Sequence, residues 1–98
     1  MEKYDFDSMG ALWADQARKI VENGVFVANS GGWDLWAYDG SVYIIPVNGS
    51  GGSASYWCAL SQLRTHLFRL RTICRYNALI PDGWKNINRE FLAAYGIA

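Results

Sequence analysis

The 98-residue chain has little of what carries self-evident chemistry: one histidine, two cysteines and two prolines. A catalytic zinc needs about three protein ligands, and one histidine with two separated cysteines does not supply them. Two cysteines do not build the disulfide framework of a small secreted domain. Cys58 and Cys74 both fall in one predicted helix, about 24 Å apart along its axis, too far to bridge. Reduced thiols and a cytoplasmic setting are the simple expectation. His66 lies roughly 12 Å along the same predicted helix from either cysteine, so no nucleophile–base pair forms there. Structural roles are expected for His66, Cys58 and Cys74.

Long hydrophobic runs are also missing. The longest uncharged stretch, Gly40 to Leu63, is broken by Pro46, Asn48 and several glycines, a poor membrane span. The acidic start, Met1 to Asp7, lacks the apolar region of a secretory signal. Gly49, Gly51 and Gly52 precede a predicted helix but match neither phosphate-loop spacing. Residues 48–55 are therefore expected to be a flexible connector. Carboxylates are scattered. Asp5 and Asp7 lie in an N-terminus expected to be mobile over about residues 1–7. Asp39 and Asp82 sit in turns. Only Asp34, between Trp33 and Trp36, has an aromatic setting, and one carboxylate is not an acid–base mechanism. The expectation is a non-enzymatic protein with no metal and no cofactor.

Net charge is zero, but the zero is composite. Residues 1–48 carry seven acids and three bases, a balance of −4. Residues 49–98 carry six bases and two acids, a balance of +4. The chain is thus dipolar, with most of its second-half bases in one predicted helix. What is abundant is apolar and aromatic: 51% hydrophobic residues, with five Trp, six Tyr and four Phe. That composition, at this length, predicts a single compact domain over residues 1–98.

Apolar spacing over Met9, Leu12, Trp13, Ala17, Ile20 and Val21 predicts a helix capped by Asp7 or Ser8 and running to Asn23. Gly24 is expected to end it in the left-handed conformation. Three strands are predicted at Val25–Ser30, Trp33–Tyr38 and Ser41–Val47, joined by Gly31-Gly32 and Asp39-Gly40 turns. Tight turns fix the register: Trp36 opposes Tyr43, Leu35 opposes Ile44, and Val27 opposes Trp36. One sheet face then holds Phe26, Ala28, Leu35, Ala37, Val42 and Ile44. The other holds Val25, Val27, Trp36, Tyr38, Tyr43 and Ile45. Both are apolar, so either helices cover both or one is an interface. A long helix is predicted from Ser55 to Asn77 and a last one from Trp84 to Tyr95. The expected fold is α+β, a three-stranded antiparallel meander with three helices in the order αβββαα.

Two surfaces could work. In the long predicted helix, Arg64, Arg71 and Arg75 fall within about 40° of one another, with Phe68 beside them. Such a stripe suits phosphates or carboxylates. The second surface is the aromatic cluster Trp33, Trp36, Tyr38 and Tyr43, with Trp36, Tyr38 and Tyr43 as its contact residues, since Trp and Tyr dominate binding hot spots. Together these predict a stoichiometric inhibitor or adaptor that binds another protein or a ribonucleoprotein. Small phage and mobile-element proteins that block host defence, anti-CRISPR proteins among them, are analogous as a class. An arginine-helix nucleic-acid binder is the alternative, against which the sequence pI of about 6.5 speaks. A self-associating homodimer is the third reading.

Overall fold

A computed structural model describes residues 3–50, 52–63, 86 and 88–94. It is an α+β arrangement, with four antiparallel strands rather than three. A 3-10 turn, Phe6–Met9, leads into helix α1, Ala11–Asn23. Strands β1 (Val25–Ser30), β2 (Trp33–Tyr38), β3 (Ser41–Pro46) and β4 (Ser55–Ala59) form one sheet in the order β1-β2-β3-β4. A short helix α2, Arg89–Ala94, comes last.

The fourth strand replaces the start of the helix expected from Ser55. Tyr56, Trp57 and Cys58 favour the pleated surface of a sheet, and β4 pairs with β3 through Val42–Cys58 and Tyr43–Tyr56. A 3-10 turn, Leu60–Gln62, follows, and Leu63 has helical backbone angles. The remainder of that expected helix, with Arg64, His66, Phe68, Arg71, Cys74 and Arg75, lies outside the described residues. So do Trp84 and Tyr95 of the last expected helix.

Two more expectations change at α1. Its N-cap is Gly10, with no side-chain cap. Ser8 instead donates to the Asp5 carbonyl at 2.9 Å within the preceding turn. At the other end Gly24 is extended, φ −88° and ψ −171°, so glycine is not there for left-handed freedom. It is there for contact. A Cβ on Gly24 would stand 2.5 Å from both the Ala37 and Ile20 carbonyl oxygens.

The β2–β3 register is the one the Asp39-Gly40 turn dictates. The β1–β2 register also follows its turn from Ser30 to Ala28, which opposes Leu35, but a bulge at Val27 slips it by one residue beyond that point. Phe26 rather than Val27 therefore opposes Trp36. Phe26 moves to the α1 face of the sheet, while Val27 and Ala28 both turn to the opposite face. Asn88 explains how the bulge is tolerated. Its backbone N–H donates to the Val27 carbonyl at 2.8 Å, and its side-chain amide to the Phe26 carbonyl at 2.9 Å. Its Oδ1 also accepts from the Phe91 N–H, which caps α2.

Both faces of the sheet are covered. On one, Ile45, Trp36, Tyr38 and Tyr43 pack with Ala17, Ile20 and Trp13 of α1 and with Tyr4 and Met9. On the other, Val27, Ala28, Leu35, Ala37, Val42 and Cys58 pack with Leu60, Leu63 and Phe91. Two apolar faces in the sequence thus correspond to two core clusters. None of the helices described is long and apolar enough to cross a membrane.

Candidate functional site

Alternation along the strands places Asp34, Trp36 and Tyr38 on the α1 face. Asp34 is a buried carboxylate with no exposed surface, an expensive arrangement unless every lone pair finds a donor. The donors are present. The Tyr4 hydroxyl donates to Oδ2 at 2.5 Å, the Lys3 ammonium pairs with the same oxygen at 2.9 Å, and the Asn29 amide donates to Oδ1 at 2.7 Å. Trp36 Nε1–H donates to the Tyr4 hydroxyl at 2.9 Å. Lys3 also lies 5.1 Å from the Phe26 ring centroid. Burial, reinforced by the Asp34 hydrogen bond and charge, pushes the Tyr4 phenol well above its usual range. The phenol stays protonated and donating. Lys3 and Tyr4, in the chain start, pack against the sheet, with the Lys3 carbonyl accepting from the Asn48 N–H at 2.7 Å. This cluster is self-satisfied and offers no open position to a substrate.

The second feature is a row of aromatic rings across the sheet. Register pairs Phe26 with Trp36, Trp36 with Tyr43, and Tyr43 with Tyr56. One ring from each strand therefore stands side by side on the α1 face. Phe26 and Trp36 meet edge-to-face at 5.7 Å between centroids, and Tyr43 and Tyr56 at 6.0 Å. Two rings from outside the sheet cover the row: Tyr4 on Trp36 at 6.5 Å and Trp13 on Tyr43 at 6.4 Å. At β4 the cover ends, and Tyr56 is 55% exposed. Strand β4 itself carries no charge and no proline, unlike edge strands that discourage pairing.

Of the aromatic residues singled out in the sequence, Trp36, Tyr38 and Tyr43 are half-buried beneath α1 and the N-terminal segment. Tyr43 reaches the surface through its contact with Tyr56. No local signal marks Tyr56, because the sequence around it predicts a helix, in which it has no strand partner. The arginine stripe of Arg64, Arg71 and Arg75 with Phe68 lies outside the described residues.

Two shallow depressions lie among the described residues. One of about 450 Å³, beside the Asp39-Gly40 turn, is lined by Val25, Tyr38, Leu60 and Phe91. The other, about 260 Å³, lies between Asp5, Ser8, Pro46 and Asn48. Among the described residues no group of three or more His, Cys, Asp or Glu is placed to hold a metal. Buried Cys58 has its thiol pushed up to about 11 by burial, the reverse of a reactive thiolate. Set against known protein families, curated proteins and solved structures, the chain matches none.

Proposed function

We propose that this chain is a non-enzymatic binding protein that makes stoichiometric contact with another protein or a ribonucleoprotein. Its described contact residue is Tyr56, at the open end of the aromatic row. The observation that carries this reading is the exposure of Tyr56 combined with its support. The ring is more than half exposed, yet braced by Tyr43, which is braced by Trp13. A braced ring loses little freedom on binding, the property that makes Tyr and Trp anchors at interfaces. Trp36 and Tyr38 then belong to the support of the surface and not to the surface itself. Inhibitors and adaptors act in this way, and phage proteins that block host defence, anti-CRISPR proteins among them, remain an analogy of class.

The arginine segment enters as a second contact on sequence grounds. The described residues carry seven acids and four bases, which gives a nucleic-acid reading no support outside that segment. The test is capture of a partner by wild type, Tyr56→Ala and Trp33→Ala, the last an exposed aromatic control. Tyr56→Ala should weaken the partner's affinity by roughly thirtyfold, the effect of a hot-spot residue. Trp33→Ala should leave it unchanged. Equal capture by all three would refute the assignment of Tyr56.

A further inference from the structure

We propose that residues 3–9 form a strap that opens as one unit from a single latch, the Asp34 carboxylate, and that opening uncovers the Phe26–Trp36 end of the aromatic row. Three donors converge on Asp34, and two of them, the Lys3 ammonium and the Tyr4 hydroxyl, belong to the strap. The third, Asn29, belongs to β1 and stays with the sheet. Tyr4 and Lys3 are also what cover this end of the row: Tyr4 stands on Trp36, and Lys3 on Phe26.

Strap and sheet are held differently. The sheet has a hydrogen-bonded ladder along every strand pair. The strap adds one backbone bond to the loop, from the Asn48 N–H to the Lys3 carbonyl. Its outer end is tied by Arg18 to Asp7, an exposed and therefore weak pair. Gly10 separates the strap from α1 at φ 84° and ψ 152°, with no atom within 4 Å of where a Cβ would stand. Only glycine adopts that conformation readily, and it provides a pivot. A segment with few backbone bonds to the sheet and a glycine pivot, held by the Asp34 anchor and by burial of Tyr4 and Met9 beneath α1, opens at lower free energy than the sheet.

The latch depends on charge. Asp34→Asn keeps the shape but turns an all-acceptor group into one with an NH2, set against a site that presents only donors to it. The Lys3 ammonium loses its counter-charge and, being half exposed, hydrates instead.

Two hydrogen bonds report on the latch and one reports on its surroundings. The Asn48 N–H and the Trp36 Nε1–H bond to the strap, whereas the neighbouring Val47 N–H bonds to the Gly32 carbonyl. Hydrogen exchange followed by NMR reads all three. In Asp34→Asn the Asn48 and Trp36 protons should exchange roughly tenfold faster or more, with Val47 unchanged, as expected for loss of a charge-assisted hydrogen bond. Equal acceleration of all three, or of none, would overturn the proposal. If Asp34→Asn fails to fold, wild type in low urea serves. There the strap reporters should exchange through an opening that precedes that of Val47, and coincident exchange overturns the proposal. No partner enters this experiment, so its outcome is independent of the role assigned to Tyr56.

Discussion

Tyr4 links a buried carboxylate to the indole N–H of half-buried Trp36. Its hydroxyl donates to Asp34 and accepts from Trp36 Nε1. Tyr4→Phe keeps the ring in its place among Phe6, Trp36 and Met9 but removes both bonds. The indole N–H then loses its acceptor and Asp34 one of its three donors. Stranding such groups costs about 1–3 kcal/mol. A denaturant titration should therefore show a lower midpoint with an unchanged slope, and an unchanged midpoint would show that water replaces both bonds at no cost. Part of this residue-level picture is legible in the sequence. Asp34 stands out there as the carboxylate in an aromatic setting. Its partners do not, because Tyr4 is 30 residues away and nothing local signals that the chain start folds back onto β2.

Among the elements, those with tight turn chemistry are legible and those fixed by long-range contact are not. Gly31-Gly32 and Asp39-Gly40 place β1, β2 and β3 correctly, and the β2–β3 register follows from the second turn alone. The Val27 bulge does not follow from any local signal. It is supported by Asn88, whose bonds to the Phe26 and Val27 carbonyls span some 62 positions in sequence. Strand β4 is hidden for a related reason. Its five residues show no strict apolar–polar alternation, and what selects a strand is pairing with β3 and burial of Cys58 against Val42 and Leu63. Gly24 is legible as a helix stop, but for a reason the sequence does not give. Since its backbone is extended, alanine is not excluded by conformation. It is excluded by the Ala37 and Ile20 carbonyls at 2.5 Å, backbone atoms that cannot rotate away. Gly24→Ala must push α1 off the end of β2, at a cost of about 1–3 kcal/mol typical of overpacking. Gly40→Ala, with open space at its Cβ but φ 80°, tests strain without contact. Thermal unfolding should place Gly24→Ala below wild type, and a melting temperature equal to wild type would show that the helix end yields freely.

At the scale of the whole molecule, the sheet divides the interior into two clusters, each holding a group that keeps its proton in the native state. Cys58 lies in the cluster under Leu63, with its thiol pushed up to about 11 by burial. Tyr4 lies in the cluster under α1, with its phenol raised mainly by burial and further by Asp34. Both shifts have the same sign. The native state binds these protons more tightly than the unfolded chain, whose thiol and phenol titrate near 8.5 and about 10. The stability they contribute is therefore complete below about pH 8.5. It falls as pH rises through the thiol window toward 11 and, for Tyr4, onward from about pH 10. Each group, once ionised in the unfolded chain and still protonated in the native one, steepens the loss by about 1.4 kcal/mol per pH unit. Unfolding free energies measured from pH 7 upward should be flat at first and then decline. Cys58→Ala should remove the earlier part of the decline and Tyr4→Phe the later part, each compared with its own value at pH 7 so that lost packing cancels. Because the two groups sit on opposite faces of the sheet, their contributions should add. A double variant that declines as steeply as wild type would place the alkaline weakness elsewhere in the molecule.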